Sequence, residues 1–132
     1  MTGSKESNLS NRINAIESGY EFLLAYAAQG RATDKGAGKG QEVREFLRNM
    51  DNALTGLGDA CAEAANAKNG DKAVEYSAFL DAVNEDAKRA QGLVRMVLSC
   101  EDISSQLIDN MNTNVHLRAL LTDLFVIDDV LN

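Results

Sequence analysis

The chain has 132 residues, a formal net charge of −7 and an apolar fraction of 45%, enough for one domain, residues 1–132, with a substantial core. The acidic balance argues against a nucleic-acid surface, which needs basic side chains to neutralise phosphates, and against docking on an anionic membrane. The polar first dozen residues carry no signal-peptide core and no apolar run is long enough to cross a membrane, so we expect a cytoplasmic protein.

The first predicted helix spans residues 8–28 and follows a polar segment, residues 1–7, that we expect to be a frayed tail. Gly19 lies within this helix and predicts a close approach of a neighbouring helix. The apolar residues recur at spacings of three and four, as on the core-facing side of a helix: Ile13, Ile16, Tyr20, Leu23, Leu24 and Ala27.

Residues 29–40, QGRATDKGAGKG, form a predicted glycine-rich loop. Gly30 stands where a helix C-cap is expected. The basic residues Arg31, Lys35 and Lys39 precede a helix N-terminus, where backbone amides and the helix dipole favour an anion. These three are candidate anion-binding residues, although a solvated linker explains the same sequence more simply.

A central amphipathic helix is predicted over residues 41–68. Gly56 and Gly58 weaken it by about 1 kcal/mol each relative to alanine, so they predict a kink or a close backbone approach. The rest of the chain is expected to cover its apolar stripe, which consists of Val43, Phe46, Leu47, Met50, Leu54, Leu57, Cys61, Ala64 and Ala65.

The third predicted helix spans residues 71–98, and two positions compete for its end. One break lies near Ser99, where a serine precedes acidic residues as at a helix start, and the other near Asn110, within the asparagine-rich segment 109–114. We predict the break near Ser99, because it gives helices of similar length. The fold class is therefore predicted as all-α, an antiparallel up-down-up-down bundle of four helices.

The last segment carries more apolar residues than one core-facing stripe can bury, although three aspartates require a solvated side. Such an excess is typical of an interface. The candidate partner-binding residues are Leu124, Phe125, Ile127, Val130 and Leu131.

We predict no metal site, no cofactor and no catalytic residues. Di-iron bundles need Glu-x-x-His pairs, and the sole histidine, His116, has Thr113 three residues before it. Cys61 and Cys100 form no CxxC pair, so we expect reduced, buried thiols. With one histidine in the chain, a cysteine nucleophile would have little choice of base.

Two kinds of phosphate chemistry also lack their motifs. In the stretch GAGKGQ, Thr33 and Gly40 stand where a phosphate-binding P-loop needs its first glycine and its serine or threonine. Histidine phosphotransfer domains resemble this chain only in size, acidity and helical architecture. Their reactive histidine is followed by a lysine, whereas here alanine, Ala119, occupies the lysine position after His116.

These observations favour a non-enzymatic protein that acts through protein–protein contacts, as an adaptor, assembly factor or regulator. Self-association as a homodimer is the simplest form of such contact. The alternative is a small-molecule or anion-binding accessory subunit, in which the loop 29–40 closes over a ligand.

Overall fold

A computed structural model describes residues 2–36 and 39–131, although not the side chains of residues 2–7, Lys39 or Gln41. About 84% of the described residues are helical, and none of them forms a strand. The predicted all-α helical bundle is therefore confirmed. Within the described part of the chain, no helix is both long enough and apolar enough to cross a membrane.

The number of helices differs from the predicted four. A single 3₁₀ turn, Gly70–Lys72, separates the third and fourth helices. In the described ranges the α-helices are α1 Thr2–Ala27, α2 Lys39–Leu54, α3 Leu57–Asn69, α4 Ala73–Leu98, α5 Ser105–Asn112 and α6 Val115–Leu131. Since α2 and α3 both run along α1 and α4 on either side of a short break, five helical units pack against each other.

The predicted central helix is interrupted at its glycines. Gly56 adopts a left-handed conformation with φ of 75°, which a residue with a side chain rarely adopts, and it ends the run of helical hydrogen bonds. The Arg12 guanidinium donates hydrogen bonds to the carbonyls of Ala53 (3.1 Å) and Thr55. These carbonyls would otherwise lack donors at the C-terminus of α2, so α1 stabilises the break.

Both competing breaks in the second half of the chain exist, which is why the count exceeds four. Helix α4 ends at Leu98, but the next N-cap is Ser104, whose hydroxyl accepts from the Leu107 amide (3.0 Å), and not Ser99. Helix α5 then ends within the asparagine-rich segment. Asn114 caps α6, because its Oδ1 accepts from the amides of His116 (2.9 Å) and Leu117 (3.2 Å).

Helix α1 begins at Thr2, so residues 2–7 are helical and not the frayed tail that we expected. The segment contains no proline that would stop a helix. Once the helix has formed from residue 8 onward, each residue added at its N-terminus gains one hydrogen bond, so the helix can extend to Thr2. At the other end of α1, Gly30 has φ of 65°, as expected just after a helix C-terminus.

The core lies along the stripe of the predicted central helix. Eight of the nine stripe residues are buried, and the ninth, Phe46, is half-buried and stacks on Phe22 of α1 with ring centroids 4.2 Å apart. Helices α1 and α4 flank α2 and α3, while α5 packs on α1 and α6 packs on α4. The expectation that the rest of the chain covers this stripe is therefore confirmed.

The connection between α1 and α2 is fixed by a partly buried ion pair. Arg44 of α2 donates from Nε to Asp34 Oδ2 (2.6 Å), and Asp34 Oδ1 accepts from the Ile103 amide (2.8 Å). The same guanidinium donates to the carbonyls of Leu98 (3.1 Å), Cys100 (2.8 Å) and Glu101 (2.9 Å). This arrangement, called here the Arg44 latch, joins the first connection to the segment between α4 and α5.

The Arg44 latch also sets the charge state of its carboxylate. Asp34 is only 7% exposed, and burial alone would raise the pKa of this group. The hydrogen bonds from Arg44 and from the Ile103 amide outweigh burial, so the pKa of Asp34 lies below its ordinary value. Asp34 therefore remains ionised and paired at neutral pH.

Candidate functional site

Helix α6 distributes the five predicted partner-binding residues over three environments. Leu124, Ile127 and Leu131 are buried in the chain's own core. Phe125 and Val130 remain 54% and 50% exposed. Since these two are about 140° apart around the helix, they lie on opposite flanks of α6.

An apolar groove runs between α4 and α6 on the flank that carries Val130. Besides Val130 (50% exposed), its walls include Val126 of α6 (43%) and Phe79 of α4 (36%). Its volume is about 200 Å³. The remaining lining residues are Ala65, Glu75, Tyr76, Leu80, Ile127 and Leu131, and this surface is called here the α4–α6 groove.

The sequence pattern predicted the part of this surface that lies on α6, but not the part that lies on α4. Val83, Ala87, Ala90 and Val94 of α4 follow the three-four spacing of a core stripe and are buried. Phe79, four residues before Val83, continues that spacing but is 36% exposed. Because Phe79 fits the core spacing, no signal in the sequence distinguishes it as a surface residue.

A pair of carboxyl groups lies between the same two helices. Asp86 of α4 lies within hydrogen-bonding distance of Asp123 of α6. Asp86 is seven residues from Phe79, and Asp123 is seven residues from Val130. Residues seven apart share a helix face two turns away, so the carboxyl pair lies about 10 Å along the helices from the apolar part of the groove.

Among the described residues, one cation lies within ion-pair distance of this carboxyl pair. Arg89 Nη1 is 3.6 Å from Asp86 Oδ1, and Asp123 Oδ2 is buried with no hydrogen-bond donor in the described ranges. Burial, the hydrogen bond with Asp86 and the negative charge of Asp86 raise the pKa of Asp123 from 3.8 to about 7. At neutral pH the pair therefore shares a proton for part of the time.

Asp123 also lies close enough to the Cys61 thiol of α3 for its charge to act on that group. The thiol of Cys61 in α3 is buried, and burial, with an added contribution from Asp123, raises its pKa to about 12 despite the positive charge of Arg12 in α1. His116 lies two turns away on α6 and is exposed. The neutral Cys61 thiol is thus a packing group, as expected, whereas Cys100 is partly exposed.

Replacing Asp123 with Asn should make the protein more stable at about pH 8, by on the order of 1 kcal/mol after allowing for screening by solvent. A carboxyl group whose folded pKa is raised contributes stability below its unfolded pKa. That contribution is lost as pH rises from about 4 to about 7. The denaturation midpoints of the two proteins should coincide below about pH 4, separate as pH rises to about 7, and differ by a constant amount above that.

Asp129→Asn is the matched control, because Asp129 is an exposed residue of the same helix and its replacement makes the same charge change. The control should leave the pH dependence of stability as it is in the wild type. If Asp123→Asn is less stable than the wild type at pH 8, the closeness of the two carboxylates does not destabilise the protein.

The opposite flank of α6 borders a second cleft, which faces α1. Phe125 lines it together with Tyr20, Glu21 and Glu17, and its volume is about 350 Å³. Burial, followed by the charges of Asp128 and Glu21, raises the pKa of Glu17. Glu17 is partly buried in this cleft.

The structure places the predicted anion-binding residues in separate contacts. The Arg31 guanidinium donates to the carbonyls of Thr33 (3.2 Å) and Lys35 (3.4 Å). The Lys35 ammonium lies 3.3 Å from Glu101 and 3.5 Å from Asp102. The side chain of Lys39 lies outside the described residues, so the two described cations are engaged within the chain and do not converge on one point.

No group of three or more His, Cys, Asp or Glu side chains in the described ranges is arranged to hold a metal ion. Comparison with known proteins adds no identification: no protein-family model, no curated protein and no solved structure matches the chain. The functional argument therefore depends on the geometry of the chain alone.

Proposed function

We propose that this chain is a non-enzymatic helical protein that docks a protein partner in the α4–α6 groove, as an adaptor, assembly factor or regulator. One observation carries the proposal: Phe79, Val126 and Val130, all large, apolar and exposed, converge on one groove from two helices. Exposed apolar residues scattered singly need no explanation, but a lined groove is typical of a docking site.

The same proposal places the protein in the cytoplasm, where Cys61 and Cys100 would stay reduced. The alternative role in binding a small molecule or anion at residues 29–40 has less support, because Arg31 and Lys35 are already engaged by groups of the chain. The Arg44 latch holds the same segment against the connection that follows α4. A loop held in this way is less free to close over a ligand.

Val130→Asp should weaken capture of the native partner by about tenfold or more, because it places a charge in the apolar part of the groove. The partner is first captured from extract of the source organism with the wild-type protein. Its affinity for wild type and variant is then measured with purified components. Helical circular dichroism and thermal melts should show that Val130→Asp remains folded, since the side chain is half exposed.

Met96→Asp provides the matched control, because Met96 is exposed on α4 and is not among the groove residues. It should leave the partner's affinity unchanged. Equal affinity of the partner for the wild type and Val130→Asp would show that contacts are made elsewhere, and the groove would lose its proposed role.

A further inference from the structure

A polar cleft lies between α1 and α2, and it shares no lining residue with the α4–α6 groove. Its volume is about 400 Å³, a size at which proteins hold small ligands or short segments. This surface is called here the asparagine cleft. It is lined by Asn8, Asn11, Arg12, Ala15 and Ser18 of α1 and by Phe46, Asn49, Asn52 and Ala53 of α2.

Asparagine is an unusual choice at these positions. Solvent-facing positions of a helix favour residues such as Lys, Glu and Arg, whereas Asn competes with the helical backbone for hydrogen bonds. Asn8, Asn11 and Asn49 are nevertheless exposed and lie more than one turn from the ends of their helices. The chain has 20 Asp and Glu residues, yet none of the described residues that line the cleft is acidic. Local rules that are broken together at neighbouring surface positions are typical of a functional site.

The side-chain amides of the cleft are largely unpaired within the described part of the chain. Asn11, Asn49 and Asn52 make no side-chain hydrogen bond there, and Asn8 Oδ1 accepts from Arg12 Nε (3.3 Å). Each amide offers two N–H donors and one carbonyl acceptor. The cleft therefore presents several uncharged groups that can both donate and accept.

These groups suit some ligands better than others. The cation among the lining residues, Arg12, already donates to the carbonyls of Ala53 (3.1 Å) and Thr55, so an anion gains little there. A helix is a poor occupant, because its main-chain groups are paired with each other. A sugar would stack on an aromatic ring, but Phe22 already covers one face of Phe46, with ring centroids 4.2 Å apart.

We propose that the asparagine cleft binds an extended peptide segment of another protein through its main chain. A peptide group has one N–H donor and one C=O acceptor, so a side-chain amide can exchange two hydrogen bonds with it. An extended segment has such groups unpaired along both edges, and the cleft has amides on both of its walls. The cleft shares no residue with the α4–α6 groove, so this proposal does not rest on the docking function proposed for that groove.

The spacing of the lining residues sets the length of the segment. Along α1 they extend from Asn8 to Ser18, a rise of about 15 Å. An extended segment of four or five residues covers the same distance. Ala15 and Phe46, which also line the cleft, are half-buried and apolar, so the alternate side chains of the segment that point inward should be small or apolar.

Three capped hexapeptides test the proposal with the full-length protein. The first alternates serine and alanine, the second alternates threonine and valine, and the third has the side chains of the first with a methyl group on each main-chain nitrogen. We expect the first two to bind with dissociation constants within about threefold of each other, and the third to bind about tenfold or more weakly. Titrations followed by nuclear magnetic resonance should shift the side-chain amide signals of Asn11, Asn49 and Asn52.

Replacing these asparagines should separate binding from stability. The triple variant Asn11→Ala, Asn49→Ala, Asn52→Ala should bind the serine–alanine peptide about tenfold or more weakly. It should melt at the same or a higher temperature than the wild type, because alanine is the better helix former. Asn14→Ala is the matched control, since Asn14 is an exposed asparagine of α1 outside the cleft, and it should leave peptide affinity unchanged.

Four results would each overturn the proposal. A triple variant that melts below the wild type would show that the asparagines stabilise the fold. Equal affinity for the methylated peptide would exclude recognition of the main chain. Maltotriose is the carbohydrate probe, and amide signals that respond to it but to neither unmethylated peptide would identify a sugar as the ligand. Signals that respond to no probe at millimolar concentration would show a solvated surface. Val130→Asp should bind the peptides as the wild type does, so failure here leaves the α4–α6 groove untouched.

Discussion

Arg44→Met should destabilise the protein by about 3 kcal/mol, the lower end of the usual cost of removing one partner of a buried ion pair, because Asp34 is buried but Arg44 is partly exposed. The variant leaves Asp34 buried without its cation and removes the donor for the carbonyls of Leu98 and Cys100. Such a loss is a large part of the stability of a typical domain. Chemical denaturation followed by circular dichroism gives the free energy of unfolding.

The pH dependence of the same pair follows from the lowered pKa of Asp34. A carboxyl group whose folded pKa is depressed contributes stability above its unfolded pKa, ordinarily 3.8, and loses it as pH falls through the folded value. The difference between wild type and Arg44→Met should therefore shrink in acid. Arg48→Met, an exposed change one turn along α2, should cost no more than about 0.5 kcal/mol. If the two variants are equally stable, the Arg44 latch contributes nothing to the fold.

The fold class and the core could be predicted because they depend on local periodicity. Apolar residues at spacings of three and four identified the stripe of α2 and α3, and eight of its nine residues are buried. The helix boundaries were harder to predict than the core, because several serines and asparagines can each form a cap. Ser104, and not Ser99, has its hydroxyl aligned with the amide of Leu107, the third residue of α5. Arg44 holds Cys100 and Glu101, which lie between the two serines.

The Arg44 latch itself has no signature in the sequence. Asp34 and Arg44 are ten residues apart across a connection, and the carbonyls that Arg44 contacts lie more than fifty residues later. A glycine-rich segment with three basic residues was therefore read as a loop available to an anion. Only the tertiary arrangement shows that Arg31 and Lys35 are engaged by other groups of the chain.

The candidate site could likewise be predicted only in part. An excess of apolar residues in α6 indicated that some of them, such as Val130, would not be covered by a single core. The contribution of Phe79, and the approach of Asp86 to Asp123, depend on how α4 and α6 are aligned. That alignment is set by the two breaks after α4, which the sequence offered as alternatives.

Gly19→Ala should destabilise the protein by about 1–3 kcal/mol, although alanine is the better helix former. Gly19 is buried where α1 meets α2, and a methyl group at this position would overlap Cγ and Sδ of Met50. Met50 is fully buried, so its side chain has little space into which it could move. The close helix approach expected at Gly19 would be the cause of the loss, measured as the change in unfolding free energy.

The sign of this effect should reverse when Met50 is removed. Met50→Ala alone should cost about 2–5 kcal/mol, because it leaves a cavity in the core. In that background the methyl group of Gly19→Ala enters vacant space, and the helix propensity of alanine should stabilise the protein by about 1 kcal/mol. Gly92→Ala in α4 is the matched control, since a methyl group there meets no atom within 4 Å, and it should stabilise the wild type by a similar amount. If Gly19→Ala costs the same with and without Met50, overlap with that side chain is not the cause, and backbone adjustment of α1 would have to account for the loss.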